Sequence, residues 1–176
     1  MHVRRAIVTD SPAIARIQVD SYRTAYAGIM PQPYLDQFTY EEETQDWVEI
    51  LTHQPDEIVY VAENDAGTVI GYALGRLQRD QPIPYDCTLV AMHIPPDFQR
   101  QGVGRKLLAA LAAHCQGLGC QSLWLQVLEK NTNARAFYER LGGQLLPEIE
   151  TFEVDDQKIT EVIYAWADIE QLCKGA

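Results

Sequence analysis

The chain has 176 residues, of which 47% are apolar and 22% are charged. This composition is typical of a single folded domain over residues 1–176, and it excludes a disordered, collagen-like or disulfide-rich protein. The net charge is -11, from 14 Lys and Arg against 25 Asp and Glu, which argues against a nucleic-acid partner. The same charge would favour a cationic ligand, and it is also the ordinary charge of an acidic, soluble surface.

No stretch approaches the roughly 18 to 20 consecutive apolar residues of a membrane-spanning helix, and the chain starts without an apolar signal segment. We therefore expect no membrane partner. The cysteines are Cys87, Cys115, Cys120 and Cys173, and none forms the C-x-x-C spacing of a redox or zinc site. The sequence predicts reduced thiols and a cytoplasmic location.

The first half of the chain predicts a strand, two helices and a hairpin. Asp10-Ser11-Pro12 is a helix start with proline in the first turn, and Thr39 with Glu42 three residues later has the form of a capping box. The predicted elements, from periodicity and turn residues, are a strand at 3–7, a helix at 11–27, a helix after Thr39 and a hairpin of 58–62 and 69–74.

The second half alternates strands and helices. The predicted elements are a strand Asp86 to Ile94, a helix Leu107 to Leu118, a strand Leu123 to Val127, a helix Ala134 to Leu141, and strands Ile149 to Val154 and Lys158 to Ala165 that turn at Asp155-Asp156. This order predicts an α/β (α+β) fold. We expect a mixed, mostly antiparallel central sheet of about six to seven strands with helices on both faces.

A glycine-containing loop, Gln99-Arg100-Gln101-Gly102-Val103-Gly104-Arg105-Lys106, connects a predicted strand to a predicted helix. A dinucleotide fingerprint needs a third glycine and a P-loop needs Gly-Lys-Ser/Thr, and this loop has neither. Its backbone N–H groups could bind an anion, because glycines allow close approach and a helix N-terminus adds partial positive charge. The alternative is a strand-to-helix turn without a ligand.

A second motif follows the next predicted strand and comprises Asn131, Ala134, Phe137 and Tyr138. It has the form N-x-x-A-x-x-hydrophobic-Y, and the earlier loop has the form Q/R-x-x-G-x-G/A. The two motifs at this separation resemble the GNAT superfamily of acyl-CoA-dependent N-acetyltransferases. The resemblance implies a GNAT-like fold and acetyl-CoA as the co-substrate.

The resemblance also implies where acetyl-CoA binds. Its pyrophosphate would lie on the backbone amides of 101–106, and its pantetheine arm would lie between the strand ending Met92-His93-Ile94 and the strand ending at Val127. Asn131 would hydrogen-bond the arm or hold the loop beside it, and a helix-cap role is compatible with either. The implied cofactor-binding residues are the eight of the glycine loop together with Met92, His93, Ile94 and Asn131.

Direct acetyl transfer needs an uncharged amine, a donor for the developing oxyanion and a proton for the departing sulfur. The resemblance assigns the donor to the backbone N–H near Met92 or His93. It assigns the contact with the sulfur to Tyr138, for which the alternative is a packed helix residue. A phenol is a weak acid for this step, so a hydrogen bond to the thiolate would be its contribution.

The base departs from the better-known family pattern, which has a glutamate along the fourth strand. Strand alternation puts Asp86, Thr88, Val90 and Met92 on one face, and threonine cannot serve as a base. Asp86 is therefore the candidate base, and a turn cap is its alternative. By the same alternation His93 falls on the opposite face, where we expect a buried structural histidine.

The acceptor pocket is expected beside the first helix. Tyr22 and Tyr26 share one helix face and are the candidate substrate-binding residues. An acidic segment, with Asp36, Glu41, Glu42, Glu43 and Asp46, either frames this pocket for a polyamine or forms the first turns of a capped helix.

No metal site is expected, because His114, Cys115 and Cys120 lack a fourth ligand at a suitable spacing. We expect an acetyl-CoA-dependent N-acetyltransferase acting on a primary amine of a small molecule, with a polyamine-type acceptor slightly favoured. The alternatives are a non-catalytic acyl-CoA-binding or sensing module and a protein N-terminal or lysine acetyltransferase. The sequence does not determine the oligomeric state, for which a homodimer is one candidate.

Overall fold

A computed structural model describes residues 1–78 and 84–174. The strands are β1 His2–Arg5, β2 Glu57–Glu63, β3 Val69–Leu77, β4 Cys87–His93, β5 Leu123–Leu128, β6 Gln144–Val154 and β7 Gln157–Trp166. The helices are α1 Ser11–Ala25, α2 Gln32–Leu35, α3 Tyr40–His53, α4 Val103–Gly117, α5 Thr132–Arg140 and α6 Glu170–Cys173. None of these helices is long and apolar enough to cross a bilayer.

The strands form one seven-stranded sheet in the order β1-β2-β3-β4-β5-β7-β6. Only β4 and β5 run parallel, and every other neighbouring pair is antiparallel. The predicted fold class is confirmed: the sheet is mixed, mostly antiparallel and flanked by helices on both faces. The sequence missed α2 and α6, and it placed the start of β6 at Ile149 instead of Gln144.

The core is divided between the two faces of the sheet. On one face, Leu107, Leu108 and Leu111 of α4 are fully buried against β2 to β5, and α5 and α6 extend this layer. On the other face, α1 and α3 bury Ile14 and Trp47 against β2 and β3. Each helix therefore buries the apolar stripe that its helical periodicity predicts.

Two predicted local signals are confirmed. The Thr39 hydroxyl accepts a hydrogen bond from the Glu42 backbone N–H at 3.2 Å and caps α3. Asp155 and Asp156 both have positive φ, 45° and 61°, as the two central residues of a type I′ hairpin turn require.

β4 and β5 pair only at Cys87 with Leu123 and at Thr88 with Trp124. Beyond these two positions the parallel strands diverge, so the remainder of each strand has no strand partner on its inner side. This gap lies at the centre of the sheet. Backbone N–H and C=O groups at such a position are ordinarily hydrogen-bonded to a neighbouring strand.

A β-bulge in β4 corrects the predicted strand faces. Leu74 pairs with Ala91 whereas Gly75 pairs with Leu89, so Val90 is an extra residue on β4. The extra residue reverses the alternation: Leu89 and Met92 both contact the α4 layer, while Ala91 contacts the α1 layer. The prediction that Thr88 and Met92 share a face was therefore wrong.

The bulge also corrects His93. Its ring lies against Tyr22 and Tyr26 at the end of α1, on the same face as Thr88 and not opposite to it. The expectation that His93 is buried is confirmed, since 8% of it is exposed.

Gly75 lets α4 pack closely on β3. A Cβ atom at this position would lie 2.7 Å from Leu111 Cδ1. We expect Gly75→Val to lower the free energy of unfolding by about 1–3 kcal/mol, the usual effect of overpacking, as measured by urea denaturation.

Gly117→Ala at the end of α4 is the matched control, because a Cβ there meets no atom within 4 Å. It should leave stability unchanged or raise it by less than about 1 kcal/mol. Equal urea midpoints for Gly75→Val and Gly117→Ala would contradict this account of the contact between β3 and α4.

Candidate active site

The N-terminus of α4 presents free backbone donors. Gly102 precedes the helix with φ of +82° and no side chain caps it, and the Lys106 N–H makes a bond to the Gly102 carbonyl at 3.1 Å. The N–H groups of Val103, Gly104 and Arg105 therefore have no partner within the helix. Free N–H groups at a helix start are the feature on which the predicted anion site depends.

Two glutamine side chains hold this loop in place. Gln99 Nε2 donates to the Ile94 carbonyl at 2.9 Å, and Gln101 Nε2 donates to the Asp97 carbonyl at 2.7 Å. These side chains therefore support the loop and leave its backbone to bind a ligand. The cationic residues Arg100, Arg105 and Lys106 are exposed around it.

Gly104 brings the two sequence motifs together. A Cβ atom on Gly104 would lie 3.0 Å from Ile94 Cδ1 and 3.2 Å from Phe137 Cζ. The glycine thus allows close packing among the end of β4, α4 and α5. A bulky residue at this position would disturb that packing as well as any ligand, so it is a poor probe of binding alone.

The gap between β4 and β5 opens beyond Thr88 and Trp124 and extends toward the end of β4, after which the chain leads to α4. Met92 and His93 end β4 and Val127 lies near the end of β5, and the strands are unpaired between these points. Unpaired strand edges of this kind are what the predicted pantetheine arm between β4 and β5 requires. Asn131 lies just beyond β5, and its Oδ1 accepts from the Ala134 N–H at 3.2 Å to cap α5.

Tyr138 is a mostly buried residue whose hydroxyl has no hydrogen-bond partner among the described residues. Only 8% of the residue is exposed, and its ring packs against Phe137, Tyr164 and Trp166. Within the described residues its hydroxyl makes no hydrogen bond. Burial raises the pKa of this phenol well above its usual value, so the hydroxyl remains a donor at neutral pH.

An aromatic cluster occupies the opposite face. The rings of Tyr22 and Tyr26 lie 5.2 Å apart, and the His93 ring lies 5.5 Å from both Tyr22 and Tyr72. The predicted pair of tyrosines therefore shares a face and meets the end of β4. In the described part of the chain, neither the Tyr22 nor the Tyr26 hydroxyl has a hydrogen-bond partner.

His93 is neutral at physiological pH. Burial among the aromatic rings lowers the pKa of its imidazole to about 4. A group with so low a pKa is a weak proton acceptor for an alkylamine, so the geometry supports packing as its role.

The acidic residues of α3 are mostly an exposed first turn, as the capping interpretation predicted, but Glu43 is buried. Its Oε2 accepts from Gln18 Nε2 at 2.6 Å, and Gln18 Oε1 accepts from Trp47 Nε1 and from the Tyr72 hydroxyl. This network fixes Glu43 behind the aromatic cluster.

Sequence reasoning missed Glu161 on β7. It pairs in register with Leu128 of β5 and with Glu150 of β6, and it is partly buried. Burial, and secondarily the Glu150 carboxylate, raise its pKa. The sequence does contain a signal for this residue. Glu161 is the one acidic residue between Ile159 and Ile163, which lie on the same face of β7 by strand alternation and are apolar.

Asp86 has a structural set of contacts. Its Oδ2 accepts from the Gln121 N–H at 2.7 Å and from the Ser122 N–H and hydroxyl at 3.0 and 2.9 Å. It precedes β4 at the end remote from His93, about 20 Å away at the rise of a strand. The hydrogen bonds lower its pKa, that from Gln121 most. This geometry favours the turn cap and does not support Asp86 as the base.

We expect Asp86→Ala to lower the free energy of unfolding at pH 7 by about 1 kcal/mol, because exposed charge-assisted hydrogen bonds are lost. The carboxyl pKa is depressed in the folded state, so its contribution is present above the unfolded pKa and disappears as pH falls through the folded pKa. The difference from wild type in urea denaturation should therefore shrink toward acidic pH, while kcat is retained. A large loss of kcat in folded Asp86→Ala would contradict the cap.

Among residues 1–78 and 84–174, no group of three His, Cys, Asp or Glu side chains is arranged to hold a metal ion. None of the four cysteines, all within the described residues, forms a disulfide.

Comparisons with known proteins agree with these features. A family model described as "Acetyltransferase (GNAT) family" matches residues 16–143. The chain is 33% identical over 170 residues to the uncharacterized N-acetyltransferase YuaI of Bacillus subtilis, covering 97% of this chain and 95% of that protein. It is 30% identical over 93 residues to the ribosomal protein bS18 alanine N-acetyltransferase of Haemophilus ducreyi, covering 53% of this chain and 61% of that enzyme.

Among solved structures, the fold is similar to that of the PaiA N-acetyltransferase of Thermoplasma acidophilum in complex with coenzyme A. The TM-score is 0.70 at 18% identity, over 91% of this chain and 96% of that one. The family match covers the anion loop, the gap and Tyr138, and the similarity to YuaI extends over nearly the whole chain. The chain belongs to the GNAT family of acetyltransferases and is a GNAT-type N-acetyltransferase.

Proposed function

We propose that this enzyme transfers the acetyl group of acetyl-CoA to a primary amine of a small, positively charged molecule, with a polyamine-type acceptor first among the candidates. The observation that carries the proposal is the gap between β4 and β5. Tyr138 packs in the cluster on the α4 side of the sheet, and Tyr22 and Tyr26 pack in a cluster with Leu128 at the end of β5; none of the three hydroxyls has a hydrogen-bond partner among the described residues.

The donor side of the site is built from backbone. The free N–H groups of Val103, Gly104 and Arg105 bind the pyrophosphate, and Arg105 adds a cation next to them. The unpaired edges of β4 and β5 align the pantetheine arm. The thioester then supplies the acetyl group, a backbone N–H near Met92 or His93 polarises its carbonyl, and the Tyr138 hydroxyl hydrogen-bonds the departing sulfur.

A small acceptor is supported by the way the acceptor side is covered. Ile29, Met30 and Leu35, between α1 and α3, pack against Leu128 and Ile159 at the ends of β5 and β7. This contact brings the segment after α1 onto the β6–β7 hairpin. An enclosed acceptor side suits a compact molecule better than a long peptide.

A cationic acceptor is supported by the charges around this side. Glu43 and Glu161 are partly or fully buried near the tyrosines, and the chain as a whole has a net charge of -11. Negative potential would attract a polyamine while one of its amines is deprotonated for attack. We place the reaction in the cytoplasm, where cysteines are ordinarily kept reduced.

A protein N-terminus is the second candidate acceptor. It is favoured by the partial similarity to ribosomal protein bS18 alanine N-acetyltransferases, of which the chain spans 61% of the enzyme from Haemophilus ducreyi. The two candidates differ in the size of the acceptor, which can be tested directly.

The test is an acceptor panel of monoamines, diamines, polyamines, amino acids and a peptide beginning with alanine, each with acetyl-CoA, followed by release of free thiol. We expect a polyamine to give the highest kcat/KM and expect this value to fall as ionic strength rises, with little change in kcat. A peptide acceptor that exceeds all small amines would favour the second candidate. If none of the small amines in the panel causes release of free thiol, the proposal is overturned.

Tyr138→Phe keeps the packed ring and removes the hydroxyl. We expect kcat to fall by about 10²-fold, the low end for loss of a group that assists proton transfer, with an unchanged unfolding midpoint. Tyr60→Phe on β2 is the matched control, because it also loses a hydroxyl, one that lies 3.2 Å from His114 Nδ1 and outside the site. Equal kcat for Tyr138→Phe and wild type would leave Tyr138 with a packing role only.

Arg105→Gln removes one exposed cation at the start of α4. We expect the Kd for CoA, measured by calorimetry at low salt, to rise about five-fold, as losing about 1 kcal/mol of charge interaction implies. Arg140→Gln at the end of α5 is the control, because Arg140 is an exposed cation at a helix end outside this loop. If both variants bind CoA as wild type does, the anion site does not involve Arg105.

A further inference from the structure

Glu161 lies on the acceptor side of the gap. It is paired with Leu128 of β5, and strand alternation places its side chain on the same face as Ile159. Leu128 and Ile159 belong to one apolar cluster with Tyr22 and Tyr26. The Glu161 side chain therefore lies on the same face of the sheet as this cluster.

No side chain of the described residues neutralises Glu161. The buried carboxylates among the described residues each have a side-chain partner on at least one oxygen: Asp10 accepts from Arg4, Glu43 from Gln18, and Glu57 from Arg76. The cross-strand neighbour of Glu161 is Glu150, another acid. Like charges directly opposite on a sheet repel, so this pair is unfavourable until a cation joins it.

A second observation ties Glu161 to the reacting centre. Tyr26 is close enough to both Tyr138 and Glu161 for each to contribute to the raised pKa of its phenol, after burial. Tyr138 is more than nine-tenths buried and its hydroxyl has no partner among the described residues. Glu161 and the Tyr138 hydroxyl expected at the sulfur therefore both lie near Tyr26.

We propose that Glu161 binds the ammonium group of the acceptor and accepts its proton, an inference that rests on the proposed function. The titratable groups near it are the carboxylate of Glu150 on β6 and the neutral phenol of Tyr26 just after α1. A partly buried carboxylate with an acidic neighbour attracts the ammonium and holds a proton more readily than an exposed one.

The protons and bonds balance as follows. One N–H bond of the ammonium breaks, its proton passes to a carboxylate oxygen of Glu161, and the electron pair stays on nitrogen. Nitrogen then bonds to the acetyl carbonyl carbon while the carbon–sulfur bond breaks. The sulfur leaves as thiolate, hydrogen-bonded by Tyr138, and takes the second proton that nitrogen loses as the amide forms. Glu161 returns its proton to solvent.

The experiment compares wild type, Glu161→Gln, Glu150→Gln and Glu148→Gln with the best amine of the panel across pH 6 to 10. Glu161→Gln is isosteric and removes a like-charge contact, so it should unfold at no lower temperature. We expect its kcat/KM for the amine at pH 7 to fall about 10²-fold, with an unchanged KM for acetyl-CoA. The deficit should narrow as pH approaches the pKa of the amine, because the free amine needs no base.

Glu150→Gln should shift the acidic limb of kcat/KM to lower pH, because removing a like charge lowers the pKa of Glu161. Glu148→Gln, an exposed residue of the same strand, should change neither the rate nor the profile.

Wild-type rates for Glu161→Gln would overturn the inference, and so would an equal loss at every pH. Either result leaves the proposed function standing, because wild type still acetylates the amine. If wild type acetylates no amine, the proposed function fails first and the inference fails with it.

Discussion

The separation of β4 from β5 is the feature on which the rest of the site depends. Two parallel strands at the centre of a sheet normally satisfy each other's backbone along their whole length, and here they do so only at Cys87 with Leu123 and Thr88 with Trp124. The unpaired remainder is polar backbone in the middle of the molecule. A ligand that pairs with this backbone as an additional strand would relieve this, and for that reason we propose the gap as the site of the pantetheine arm.

The two faces of the sheet supply different chemistry to this gap. The α4 and α5 side contributes the free N–H groups near Gly104 and the hydroxyl of Tyr138, which suit the donor. The α1 side contributes the tyrosine cluster and Glu161, which suit a cationic acceptor. Gly104 is central because its lack of a Cβ allows Ile94 and Phe137 to close together beneath the anion loop.

Burial decides how the ionisable groups of the site behave. The pKa of His93 falls to about 4 because no charged partner compensates its desolvation. Desolvation raises the pKa of Tyr138 and, with Glu150, that of Glu161. Asp86 is the opposite case, because backbone N–H groups hold its ionised form. The carboxyl groups of Asp86 and Glu161 thus have pKa values shifted in opposite directions by their surroundings.

The sequence alone determined the element order, the capping of α3 by Thr39, the turn at Asp155-Asp156 and both acyl-CoA motifs. These features depend on residues close together in the chain, where periodicity and turn chemistry act directly. Only the tertiary structure decided which side chains of β4 lie on each face of the sheet, and that Glu161 lies near the tyrosine cluster. One extra residue at Val90 reverses the alternation beyond it, and the meeting of Glu161 with Tyr26 requires β7 to insert between β5 and β6. Sequence spacing contains neither, because a bulge and a strand crossover are set by packing between segments that are distant in the chain.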